Sequence, residues 1–275
     1  MSEEQLIIAS GLGDIAHFLN IYNKVKNKSP ACIMDCFKIV SKHGSLKIGK
    51  FLFERWNFLI DDHVMYDCFL LSCINNHITF SKYIHIKFSE LLIIDLNDNE
   101  IFRICCKRGF INMAQWLYGI YSQMNIYSMD YITLRLSAIN KNMNIVKWLY
   151  NLNSNIPERI FKEMCVSAVK NENLNIIEWI LTVNPTFDMF FNNYECFRLA
   201  FIKKKYSILN FYKQNYPHKF LFNNENYYIK NDEEETQSKI YSTILLDNGF
   251  LSNETNIFNY KNIPINIMHL ILDYI

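Results

Sequence analysis

The chain has 275 residues, half of them hydrophobic and 15% aromatic, with a formal net charge of +1. That composition argues against wholesale disorder, and the length buries a sizeable core as one large or two ordinary domains. The near-neutral charge argues against a general pull towards nucleic acid or anionic membrane, and neither partner is expected. The opening Met1-Ser2-Glu3-Glu4-Gln5 is acidic, so no secretory leader is expected. The strongest apolar run, Leu91-Leu92-Ile93-Ile94, is closed by Asp95 and is too short to span a membrane. A cytoplasmic, monomeric protein is the expectation.

In chain order, one segment recurs about every 32 residues, most clearly from Asn140 through Trp148 to Tyr150. With Gly11, Gly44, Asn76, Gly109, Lys141, Glu172 and Lys204 as equivalent reference positions, the spacings are 33, 32, 33, 32, 31 and 32. Seven residues later stand Phe18, Phe51, Tyr83, Trp116, Trp148, Trp179 and Phe211, all aromatic. The next column, from Leu19 through Leu149 to Tyr212, is apolar throughout.

Each unit reads as two helices. The first ends at the reference position, where Gly or Asn supplies a left-handed residue at low cost. Capping residues mark its start: Ser29-Pro30, Asp61-Asp62, Asp98, Asp130, Pro157 and Asn193. Its expected buried column, five residues before the reference, is Leu6, Ile39, Leu71, Ile104, Leu136, Ser167 and Leu199. Small pairs just beyond, such as Ser72-Cys73 and Cys105-Cys106, let neighbouring helices approach closely. The second helix carries an apolar stripe, Ile145, Trp148 and Leu149 with their equivalents. No copy buries that stripe alone; stacked neighbours do. The predicted fold is all-α, a solenoid of about seven helix pairs over residues 1–215 with a helical extension over 216–275. Helical arrays with periods near 34 residues are the structural alternative.

From Ile132 through Ala138 to Asn144-Ile145-Val146-Lys147-Trp148-Leu149 the chain resembles the ankyrin repeat, over roughly residues 1 to 215. The Trp-Leu-Tyr endings at Trp116 and Trp148 look most like the divergent ankyrin proteins of large AT-rich DNA viruses. No copy keeps a T-P-L-H signature. Linkers such as Asn153-Ser154-Asn155-Ile156-Pro157 differ from the usual β-finger, so short or irregular fingers are expected. The resemblance implies a viral protein in the host cytoplasm that binds protein partners on the concave side, lined by the first helices.

Those first helices carry two columns of cations four residues apart on one face. Lys38, Arg103, Arg135 and Arg198 stand six before the reference, and Lys42, Lys107 and Lys170 two before it. One reading is a basic and apolar ladder that receives an acidic or mixed partner. The other is solvated charge answering the helix dipole.

Beyond Tyr212 the pattern fades. Asp232-Glu233-Glu234-Glu235 is expected to be solvated, and Lys239 to Leu246 reads as a helix stopped by Gly249. The final stretch has Ile263, Pro264, Ile267, Ile271 and Leu272 at helical spacing. It is similar to the opening of an F-box, and that likeness implies a Skp1-type partner and a viral adaptor to a cullin-type ubiquitin ligase. A terminal helix that only caps the array is the alternative. A structural, virion-associated protein is a third reading.

Catalytic patterns are absent from the sequence: there is no glycine-rich phosphate loop, H-E-x-x-H or G-x-S-x-G. The eight Cys form no C-x-x-C pair and read as small, reduced, buried residues; the seven His are scattered. No enzyme activity, cofactor or metal is expected.

Overall fold

A computed structural model of the chain describes residues 1–89, 99–121, 124–217, 220–223 and 226–229. The acidic run at 232–235, the helix expected at 239–246 and the F-box-like stretch at 263–275 lie outside the described residues. Among those described, fourteen α-helices dominate, joined by a 3-10 turn at Asn57–Leu59. A short antiparallel hairpin, β1 (Phe220–Asn223) with β2 (Asn226–Ile229), sets Phe220 opposite Ile229. Among the described residues the fold is all-α apart from this hairpin, which the sequence pattern did not announce.

The chain divides into two compact units, Met1–Asn155 and Ile156–Ile275. The first holds five helix pairs: α1 (Glu3–Gly11) with α2 (Ile15–Lys24), α3 (Pro30–His43) with α4 (Leu46–Arg55), α5 (Asp62–Ile74) with α6 (Ile78–Phe88), α7 (Glu100–Lys107) with α8 (Ile111–Ile120), and α9 (Ser128–Ile139) with α10 (Met143–Leu152). Each second helix packs back on its own first helix, and the first helices pack in succession from α1 to α9. The second unit repeats the plan with α11 (Glu158–Lys170) and α12 (Leu174–Val183), then α13 (Phe191–Ile202) and α14 (Tyr206–Asn215).

A left-handed residue joins the two helices of every pair. Asn76, Lys141, Glu172 and Lys204 have φ of 63°, 63°, 50° and 52°, and Gly44 and Gly109 have 67° and 83°. In the first pair the position belongs to Gly13 at 77°, not to Gly11. Two glycines two apart allowed either register. Asp14 decides it, because its carboxylate accepts from the amides of Ala16 and His17, which makes it the cap and starts α2 two residues after Gly13.

The shift of two residues changes the columns. Phe18 leaves the aromatic column, which keeps six members, and joins Ala114 and Val146 in the buried stripe. Exposed Asn20 takes the aromatic place in the first pair. Ile21, Leu52, Ile84, Leu117, Leu149, Ile180 and Tyr212, eight after the left-handed residue, are all buried.

Of the expected buried column in the first helices, Leu6 and Leu199 are buried and the others are not. Ile39, Leu71, Ile104, Leu136 and Ser167 are only half-buried. The inner faces are instead the small pairs, such as Val40-Ser41, Ser72-Cys73, Cys105-Cys106 and Ala168-Val169, with Phe37, Phe69, Phe102 and Leu134 one turn earlier. Small side chains lie where helices approach most closely, and the half-buried aliphatics border the open face. Three expected helix starts are met: Ser29 accepts from the Cys32 amide ahead of Pro30, Asp61 accepts from the Val64 amide, and Pro157 stands at the cap of α11 without a side-chain bond. Asp130 and Asn193 fall inside their helices rather than ahead of them.

Neighbouring pairs in the first unit are also tied at the turns. His77 donates through Nε2 to the Lys42 carbonyl at 2.8 Å. Asn142 donates through Nδ2 to the carbonyls of Cys106 and Lys107 at 3.1 and 2.7 Å, and Arg108 donates to the Ile74 carbonyl. The carbonyls of Lys42, Ile74 and Lys107 are ones that the preceding first helix leaves open at its C-terminus, while that of Cys106 also accepts from the Gly109 amide. The approach is tight: a Cβ on Gly44 would meet the His77 ring at 2.5 Å, and one on Gly109 would meet Asn142 Oδ1 at 2.6 Å.

Candidate functional site

The cations singled out from the sequence occupy the face of the first helices opposite the buried positions. Lys38 and Lys42 are one turn apart on α3, Arg103 and Lys107 one turn apart on α7, and Arg135 lies on α9. Between them, α5 places half-buried Leu70 and Ile74 at the equivalent positions. Lys42 and Lys107 are exposed, whereas Lys38, Arg103 and Arg135 are half-buried. In the second unit, Lys170 is exposed at the end of α11 and Arg198 is half-buried on α13.

Carboxylates share this face, and the reading of single-sign columns missed them. Nine residues before the left-handed position stand Glu4, Asp35, Asp67, Glu100, Ile132, Glu163 and Glu195, so six of the seven are acidic. They lie three residues before the basic column, on the same helix face. Counting charges of both signs at one spacing would have found them.

Ion pairs follow among the described residues, and Glu163 of this column meets Arg159 on its own helix at 3.7 Å. Lys38 Nζ reaches Asp67 Oδ2 on the next first helix at 3.0 Å, with both side chains nearly half exposed (44% and 46%). The hydrogen bond from Lys38 to Asp67, and then its charge, raise the Lys38 ammonium above its ordinary pKa. Arg135 stands 3.9 Å from Asp130. Exposed pairs of this kind contribute little to stability, about 0–1 kcal/mol. They do fix side-chain direction, and with the acidic column they turn a basic ladder into one of mixed sign.

Chemistry elsewhere is muted. All eight Cys are buried. Burial pushes the thiols of Cys36, Cys68 and Cys73 up to about 12, which suppresses the reactive thiolate. Cys165 and Cys196 lie with Sγ atoms 3.3 Å apart between α11 and α13. Among the described residues no group of three or more His, Cys, Asp or Glu is placed to hold a metal ion. No described helix is long and apolar enough to cross a membrane. Compared with known proteins, the chain matches no family model and no curated protein.

Proposed function

We propose that this chain is a non-enzymatic scaffold, an ankyrin-like stack of helix pairs that binds a partner protein across the open face of its first helices. The observation that carries this reading is the alternation on that face. Lys38, Lys42, Arg103, Lys107 and Arg135 stand among Asp35, Asp67 and Glu100, with half-buried Ile39, Leu71, Ile104 and Leu136 between them. A surface of half-buried aliphatics ringed by charges of both signs suits an elongated protein partner, because apolar contact supplies affinity and charge sets register. A dense polyanion would meet the carboxylate column and be repelled. The left-handed turn at 31- to 33-residue spacing supports the repeat reading, since it sets equivalent side chains in successive pairs.

Charge reversal tests the proposal. Partner capture from the native cytoplasm should fail with Arg103→Glu, Arg135→Glu and Arg198→Glu combined. It should fail also with the exposed set Lys42→Glu, Lys107→Glu and Lys170→Glu, which leaves the buried packing untouched. Retention of the same partners by both triple variants at low salt would remove the face from consideration.

A further inference from the structure

Away from the first-helix face, α2 and α4 end side by side and border a cleft of about 710 Å³. Its walls include Tyr22, Trp56 and Phe58, and its cations are Lys26, Lys28 and Arg55; no lining residue is a carboxylate. The aromatic wall is built rather than incidental. Trp56 Nε1 donates to the Tyr22 hydroxyl at 3.0 Å, and the Trp56 and Phe58 rings lie 5.6 Å apart. The Lys28 ammonium sits 4.2 Å from the Tyr22 ring centre and the Arg55 guanidinium 5.9 Å from it. Tyr22 is buried, so it orients these cations without being consumed by a ligand. Phe58, by contrast, is 71% exposed beside them.

A large exposed aromatic next to three cations and no anion lowers its free energy by meeting apolar surface and negative charge together. We propose that this cleft binds an acidic peptide segment, with spaced carboxylates meeting Lys26, Lys28 and Arg55 and one apolar side chain covering Phe58 and Trp56. Charge complementarity selects an anion, and the helix ends select its kind. Both α2 and α4 present their C-terminal, carbonyl ends here, at Lys24 and Arg55. A compact phosphate is best held by the amide end of a helix, so the cleft lacks the cradle that a nucleotide would use. Carboxylates strung along a peptide carry less dense charge and reach cations set apart. The site is independent of the first-helix face, because no residue is shared.

Fluorescence anisotropy of a short labelled peptide of Asp and Glu with a central Leu-Phe pair tests this on the full chain. Saturable binding is expected, weakening with added salt as exposed charges are screened. Lys26→Glu with Arg55→Glu should weaken it about tenfold or more, and Phe58→Ser by a similar factor. Lys26 and Phe58 are exposed, so Lys26→Glu should leave the melting temperature unchanged and Phe58→Ser, which loses only the ring contact with Trp56, should lower it slightly; both keep the test valid if Arg55→Glu unfolds the chain. A peptide with Ser-Ser in place of Leu-Phe should bind less tightly. Absence of saturable binding, equal binding by the variants, or tighter binding of ATP or a thymidine oligonucleotide would overturn the proposal.

Discussion

The Trp148 ring stands 6.1 Å from Phe102 and 5.9 Å edge-on from Tyr118, wedged against both helices of the preceding pair. One pair earlier, Trp116 makes the same two contacts, with Phe69 at 6.1 Å and His85 at 5.9 Å. The aromatic column therefore joins pairs in the first unit rather than recognising a ligand, and its half-burial reflects this seam position. Trp148→Ala should cost about 3 kcal/mol in urea unfolding, and Trp148→Phe about 1 kcal/mol. A double-mutant cycle with Phe102→Leu should show coupling, whereas additive losses would mean that the rings do not depend on each other.

Left-handed residues that carry a side chain store backbone strain. Lys141 has φ 63° and is exposed, so Lys141→Gly should stabilise the chain by about 0.5–1 kcal/mol. Gly109→Ala should destabilise by about 2–3 kcal/mol, because a left-handed alanine is strained and its Cβ displaces Asn142. Thermal melts of the two variants should move in opposite directions.

Asn142 spans two neighbouring pairs through two hydrogen bonds to backbone carbonyls of α7. Asn142→Ala leaves the Lys107 carbonyl open and removes one of the bonds to Cys106, which keeps the Gly109 amide, and should cost about 1–2 kcal/mol. Faster hydrogen exchange at the end of α7, with α3 unchanged, would place the loss at this seam.

His85 gives the fold a pH dependence. It is half-buried, with the rings of Trp116 and Tyr121 edge-on to it, and burial lowers its imidazole pKa below the ordinary value. The unfolded chain therefore takes up this proton more readily than the folded one. The stability that neutral His85 supplies is fully present above about pH 6.5 and is lost as the pH falls towards its lowered folded value. Urea midpoints at about pH 7.5 and about pH 5.5 should differ less in His85→Gln than in the unmodified chain.

Much of this was legible because it rests on local chemistry. The 32-residue spacing, the helix pairs and the left-handed turns follow from columns such as Leu52, Ile84 and Leu117, where burial leaves few residue choices. Gly11 and Gly13 could not be told apart by spacing, since either glycine suits the turn; the cap made by Asp14 is a contact. Half-burial of Ile39 and Leu71 was illegible because an aliphatic at the rim of a seam reads like one inside it. The acidic column was visible as Asp35, Asp67 and Glu100. It acquires meaning only when Lys38 is seen to reach Asp67 across two helices. The hairpin at Phe220–Ile229 offers only four-residue strands, too short to separate strand from helix by periodicity.

Lysine footprinting of the chain with and without its captured partner tests the proposed binding face most directly. Lys42, Lys107 and Lys170 on first helices and Lys47, Lys82 and Lys147 on second helices are all exposed in the free chain. Partner binding should shield the first three from acetylation and leave the second three as reactive as before. Shielding of Lys47, Lys82 and Lys147 with Lys42, Lys107 and Lys170 unchanged would contradict recognition through the first helices.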